Sequence, residues 1–141
     1  DLEKLVPALD AYTRSLEPFE ISVSKAKSFE GVFPTVYLSL KNLRRLRQVH
    51  RRIWKISLPY AFDSNLLYSP ESWVPHITII HKDLGGADLL GKAVNLLNNH
   101  RIDWPLVVDN LTILNQKQDM MATLEFSFKF GKGLVYSSPS S

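Results

Sequence analysis

Two residues that could handle a phosphate group, His76 and Thr78, stand two apart in the apolar run WVPHITIIHKD, residues 73–83. Histidine gives or takes a proton near neutral pH, and a threonine hydroxyl can donate a hydrogen bond to a phosphate oxygen. Because side chains alternate across a strand, both point to one face, about 6 to 7 Å apart. One phosphate can therefore contact both. The alternative is a histidine that is merely hydrogen-bonded within a sheet, since His-x-Thr is a short motif.

The same alternation sets expectations for the neighbouring residues. His81 is predicted on the opposite face of the strand, towards the core, although a twist at the strand end could turn it to solvent. A structural role is favoured over a ligand role. Lys82 returns to the face of His76 and could attract a phosphate, although an exposed strand-end lysine is the alternative. Pro75 lacks an N–H group, which predicts that the strand begins or bulges there.

Aromatic residues near the motif could stack on a nucleobase, because aromatic rings suit exposed bases. Trp73 and Tyr68 flank the motif in the sequence. Phe33 and Tyr37 are further candidates. For all four, a packing role is the alternative.

Composition limits the classes of protein that this chain can be. Its 141 residues, 45% hydrophobic and 22% charged, are typical of one soluble globular domain with a real core. No apolar run is long enough to predict a membrane span. Cysteine is absent, which excludes disulfides and thiolate chemistry and favours a reducing, cytoplasmic location. The net charge of +3 is only mildly basic.

Helical and strand-like patterns alternate along the chain. Helices are predicted over residues 2–16, from Asn42 as N-cap to Ile56, and over 87–99. Strands are predicted over residues 19–24, 35–40, 74–81, 106–115 and 121–130. Residues 1–131 then form a single domain, and residues 132–141 a flexible polar tail. This order predicts an α+β fold with largely antiparallel sheets covered by helices.

The second predicted helix is strongly basic. Its segment KNLRRLRQVHRRIWK holds seven of the 17 lysines and arginines. Arginine binds phosphate through a bidentate fork, so this helix could steer RNA towards a cleft. A solvated helix surface is the alternative.

The remaining histidines give no competing site. His50 lies in the basic helix and His100 follows a helix end, where its charged form suits the helix dipole. The four histidines of the chain show no metal-ligand spacing, and no glycine-rich phosphate loop or nucleophile elbow is present.

PHITII, with apolar residues on both sides, resembles the His-x-Thr/Ser signature of the 2H phosphoesterase superfamily, in particular its 2′-5′ RNA ligase-like branch. The stretch FEGVFPTVYLSL is similar to that branch's turn leading into an apolar strand, and the order of the later elements matches over about residues 1–130. The resemblance implies a two-lobed fold with a cleft between pseudo-symmetric halves. It also implies two histidines, one from each half, that act as general base and general acid without metal or cofactor.

In that scheme His76 is one acid/base, Thr78 holds the phosphate, and Lys82, Tyr37 and Trp73 are candidate substrate contacts. Members carry an earlier His-x-Thr/Ser motif, but no histidine precedes His50 here. Either leading strands are missing before Asp1, or the chain is a degenerate member with half a site. The start at Asp1 favours missing strands. Replacement of the motif by Tyr37-Leu38-Ser39 is the weakest interpretation, because the family order places it on the wrong strand.

Two classes of function follow. The first is a phosphoesterase, a monomer acting on RNA or nucleotides with a 2′,3′-cyclic phosphate or 2′-5′ linkage, with hydrolysis favoured over ligation. The second is a module that binds RNA or a nucleotide without turnover. Neither involves a membrane.

Overall fold

Two antiparallel sheets and three α-helices form the chain in a computed structural model that describes residues 1–30, 34–81, 87–116 and 121–139. The helices are α1 (Leu2–Arg14), α2 (Arg44–Ser57) and α3 (Ala87–Asn98). The strands are β1 (Phe19–Phe29), β2 (Thr35–Lys41), β3 (His76–His81), β4 (Trp104–Val108), β5 (Asn110–Asn115), β6 (Thr123–Lys129) and β7 (Gly133–Ser137). The predicted α+β fold with antiparallel sheets is confirmed.

The first sheet has the strand order β3-β2-β1-β4 and presents one apolar and one polar face. On the apolar face, Val23, Ala26 and Leu38 are buried together, and Leu97 of α3 packs against them. Helix α3 therefore covers this face, because burying those side chains removes apolar surface from water. The other face is left open for polar side chains of β1, β2 and β3.

The second sheet has the order β5-β6-β7 and packs on the other two helices. Leu16, Val49 and Phe130 form its buried cluster, which joins α2 and the residues that end α1 and β6. A further link is polar, since the backbone N–H of Leu134 donates to a carboxylate oxygen of Asp10 at 2.6 Å. None of the helices in the described ranges is long and apolar enough to cross a bilayer.

Three local expectations are corrected by the structure. Asn42 is not the N-cap of α2: its φ of 60° is left-handed, its side-chain amide donates to the hydroxyl of Ser22 at 3.1 Å, and Leu43 takes the cap position. The strand expected over residues 106–115 is split at Asp109 into β4 and β5, which belong to different sheets. The flexible tail expected from residue 132 is wrong for Gly133–Ser137, which pair with β6 as β7.

The split at Asp109 has a clear hydrogen-bonding reason. The backbone N–H of Phe130 donates to the carbonyl of Asp109 at 2.8 Å, so the chain turns from the first sheet into the second at this point. The polar pair Asp109-Asn110, which interrupts the apolar residues of this stretch, is the local signal of the change.

We predict that Gly133→Ala lowers the free energy of unfolding by at least about 1 to 2 kcal/mol. Gly133 has a φ of +80°, and a methyl group there would meet the side chains of Asp10 and Arg14. Gly91→Ala is the matched control, because Gly91 lies inside α3 with open space around it. This control should gain about 0.5 to 1 kcal/mol. Urea denaturation measures both, and equal midpoints for the two variants would contradict the packing described for β7.

Candidate active site

A cleft of about 530 Å³ opens beside β3, between the polar face of the first sheet and the loop that precedes β3. The residues that line it include Phe29, Thr35, Trp73, His76, Thr78 and His81. His76 is half-buried and Thr78 is exposed. The imidazole of His76 is therefore accessible to a ligand in the cleft and is not sealed in the core.

The ring of His76 is held from several sides. Its Nδ1 lies 2.6 Å from the carbonyl oxygen of Val74, which can only accept, so Nδ1 carries the proton. The ring meets Phe29 and Tyr37 edge-on at centroid distances of 5.2 and 5.3 Å. Phe29 and Tyr37 stack on each other at 4.1 Å. This packing fixes the ring, and Nε2 of the neutral form is the nitrogen that can accept a proton.

A β-bulge at Ile79 changes which residues share the face of His76. Tyr37 pairs with Thr78 but Val36 pairs with Ile80, so Ile79 is the extra residue of β3. Ile79 is 46% exposed, while Ile80 is half-buried opposite the fully buried Val36. The bulge shifts the alternation by one residue beyond this point.

The prediction that His81 lies on the opposite face is therefore wrong. His81 pairs with Thr35, which shares its face of β2 with Tyr37 and Ser39, the partners of Thr78 and His76. The Thr35 hydroxyl and His81 Nδ1 lie 2.9 Å apart in a hydrogen bond. His76, Thr78 and His81 consequently form a row along one face, with Thr78 in the middle.

Trp73 and Tyr68 contribute to the loop side of the cleft. One face of the Trp73 indole stacks on the imidazole of His50 at 3.8 Å and 13° between ring planes. Helix α2 is thereby attached to the wall of the cleft. Burial lowers the pKa of His50, and a hydrogen bond to the backbone of Tyr68 partly opposes that shift.

The other candidates from the sequence divide into two groups. Tyr37 is 7% exposed and holds the ring of His76, so the geometry gives it a positioning role. Lys82 and Phe33 lie outside the described residues. Sequence reasoning missed Thr35 and misplaced His81, because a bulge leaves no mark on apolar periodicity.

Comparison with known proteins identifies the family of this chain. The family model of the 2′-5′ RNA ligase superfamily matches residues 1–120. The chain belongs to this superfamily. A relative from Oceanobacillus iheyensis, named "Putative phosphoesterase OB1230", is 27% identical over 135 residues, which cover 93% of this chain and 72% of the relative. No solved structure matches.

Membership of the superfamily confirms the family resemblance and supports phosphoesterase or ligase-like activity. In this chain the cleft beside β3 is lined by His76, Thr78 and His81, side chains that are able to move a proton or hold an anion.

We predict that His50 makes the fold less stable in mild acid. Its pKa is lower in the folded chain than in the unfolded chain, so the unfolded chain binds more protons once the pH falls towards the ordinary histidine value of about 6.5. The contribution of neutral His50 to the free energy of unfolding is complete above that pH and is lost as the pH falls below it. Thermal unfolding between about pH 7.5 and 5.5 should show a smaller decrease in Tm for His50→Gln than for the wild type.

The exposed His100 provides the control for this measurement. His100→Gln should retain the wild-type decrease in Tm across the same range. A His50→Gln variant with an unchanged pH dependence would show that stacking on Trp73 does not depend on neutral His50.

Proposed function

We propose that this chain is a metal-independent phosphoesterase that hydrolyses 2′,3′-cyclic phosphates or 2′-5′ linkages of RNA or nucleotides. The observation that carries the proposal is the row of His76, Thr78 and His81 on one face beside the cleft. Membership of the 2′-5′ RNA ligase superfamily and a relative named as a phosphoesterase support it.

The row supplies the groups that hydrolysis of a cyclic phosphate requires. Thr78 donates a hydrogen bond to a non-bridging oxygen and centres the phosphate between the two imidazoles. Nε2 of His76 takes a proton from water as the water oxygen bonds to phosphorus. The P–O bond to the 2′ or 3′ oxygen breaks, and that oxygen receives a proton from the acid on the other side. The product is a phosphomonoester.

Among the described residues, His81 is the candidate for this general acid. His76 pairs with Ser39 of β2, and His81 pairs with Thr35. Because Ser39 and Thr35 are four residues apart, the two histidines are about 14 Å apart at Cα. Their rings flank a phosphate bound over Thr78. The Thr35 hydroxyl orients the His81 ring.

The second candidate function is an RNA- or nucleotide-binding module without turnover. One observation favours it: PHIT is the only His-x-Thr/Ser sequence among the 141 residues. In that case the row still binds phosphate, because the Thr78 hydroxyl donates a hydrogen bond and an imidazole donates from Nε2 when it is protonated. A cytoplasmic location suits either function, given an RNA ligand and a chain without cysteine.

We predict that the wild type releases a phosphomonoester from a 2′,3′-cyclic nucleotide in the presence of EDTA. His76→Ala should lower kcat/KM by at least about a hundredfold, because one general acid or base contributes about 10²- to 10⁴-fold. Chromatography of the released product measures kcat/KM for the wild type and for His76→Ala.

Asn95→Ala is the control for this assay, since Asn95 is exposed on α3, which covers the opposite face of the sheet. Equal activity of His76→Ala and wild type would remove His76 from the mechanism. Binding without turnover in the wild type would favour the binding module, and loss of activity in EDTA would contradict metal independence.

We predict a bell-shaped dependence of kcat/KM on pH, as expected for one base and one acid. His81→Gln should remove one limb of the bell and lower kcat/KM by about a hundredfold. Thr35→Val should lower kcat/KM less and keep both limbs, because it removes the hydrogen bond that orients His81 and leaves both imidazoles in place. An unchanged bell in His81→Gln would show that the second titrating group lies elsewhere.

A further inference from the structure

The row of reactive residues continues across the sheet to a lysine on β1. Tyr37 pairs with Thr78 on one side and with Lys27 on the other. Directly paired residues of antiparallel strands point to the same face, so Lys27 projects from the face that carries His76, Thr78 and His81. Its Cα lies about 10 Å from that of Thr78, two strand spacings away. Lys27 is exposed.

A second lysine lies one step further along β1. The pairing of β1 with β2 shifts between Val23 and Ala26, and this bulge contains Lys25. The carbonyl of Lys25 accepts a hydrogen bond from the hydroxyl of Ser39 at 2.8 Å, which places the bulge beside the partner of His76. The side chain of Lys25 is exposed and enters a groove of about 320 Å³.

That groove lies at the edge of β1 beyond the end of β4. The β4 strand pairs with β1 only up to Val23, and the side chain of Asn98 binds the freed N–H and carbonyl of Ala26 at 2.9 and 3.0 Å. The groove is lined by Asn98, Ile102 and three residues able to carry positive charge, Lys25, His100 and Arg101.

These cations are not neutralised by neighbours that the structure describes. The ion pairs found in the described ranges join Asp1 with Lys4, Asp10 with Arg14 and Asp109 with Lys129. None of them involves Lys25, Lys27 or Arg101, so the charges remain available to an anion. Glu30 and Asp103 are exposed nearby in the sequence without such a pair.

We propose that Lys27, Lys25 and Arg101 form a second phosphate-binding site, which takes further phosphates of a single-stranded RNA whose reacting phosphate lies over Thr78. This inference rests on the proposed function and adds the substrate class: an oligonucleotide is preferred to a mononucleotide. A mononucleotide bound over Thr78 leaves Lys25 and Arg101 without a partner, whereas a strand continuing towards β1 provides phosphates in succession. Each phosphate contact releases counterions and stabilises the complex.

The test compares a hexanucleotide RNA that ends in a 2′,3′-cyclic phosphate with the corresponding cyclic mononucleotide. Binding is measured in His76→Ala, which slows turnover, by fluorescence anisotropy of a 5′-labelled hexanucleotide and by competition with the mononucleotide. Lys27→Ala, Lys25→Ala and Arg101→Ala are added singly. Lys92→Ala is the matched control, because Lys92 is an exposed lysine on α3, on the other side of the sheet.

We expect the hexanucleotide to bind at least about tenfold more tightly than the mononucleotide in moderate salt. Each of the three substitutions should weaken hexanucleotide binding about threefold to fivefold, and Lys25→Ala and Arg101→Ala should leave mononucleotide binding unchanged. Each should also reduce the slope of log Kd against log salt by about 0.7, the value for one phosphate of a single strand. Lys92→Ala should change neither quantity.

Equal affinity for the two ligands, or an equal effect of Lys92→Ala and Lys27→Ala, would overturn this second site. Failure of the proposed function has a different signature, because the wild type would then turn over neither ligand. Tight, lysine-dependent binding of the hexanucleotide without turnover would retain the second site and reject the phosphoesterase. Turnover of both ligands with equal kcat/KM would retain the phosphoesterase and reject the second site.

Discussion

The register between β2 and β3 determines where the reactive side chains of this protein point. Without the bulge at Ile79, strict alternation would place His81 among the apolar side chains under α3, where an imidazole would lose its hydrogen bonds to water. With it, Val36 pairs with Ile80 and both remain on the core side. Burial of Val36 and Ile80 thus stabilises the same register that brings His76, Thr78 and His81 together.

The environment of His76 shows how a sheet can present a side chain that is both accessible and ordered. The ring contacts Phe29 and Tyr37 on the sheet, and its Nδ1 is bound to the carbonyl of Val74 just before the strand. Those contacts restrict rotation about the side-chain bonds before any ligand arrives. A side chain that is held in place in this way needs less reordering when a ligand binds.

The two faces of the first sheet differ in the side chains that they present. One face buries Val23, Ala26 and Leu38 under α3, which provides the hydrophobic stabilisation. The other keeps Lys27, Ser39 and Thr78 at the surface, where their polar groups retain water or bind a ligand. Helix α2 contributes from outside this sheet, since the stacking of His50 on Trp73 supports the loop that forms the far wall of the cleft.

The sequence by itself determined the class of fold and the central pair of the site. Apolar spacing located three helices and most of the strands, and the alternation in PHITII put His76 and Thr78 on one face, because strand geometry has a period of two residues. The resemblance of the same six residues indicated the superfamily. These features are local, so they can be read from neighbouring residues alone.

Only the tertiary structure decided the position of His81, the partnership of Thr35 with it, and the position of Lys27 on the same face. Each depends on which residue of another strand lies opposite, and a bulge changes that pairing without altering composition or periodicity. Residues 106–115 and Gly133–Ser137 likewise depend on pairing with distant residues. Whether such a segment joins one sheet or another is set by hydrogen bonds to distant residues, such as that between Phe130 and Asp109.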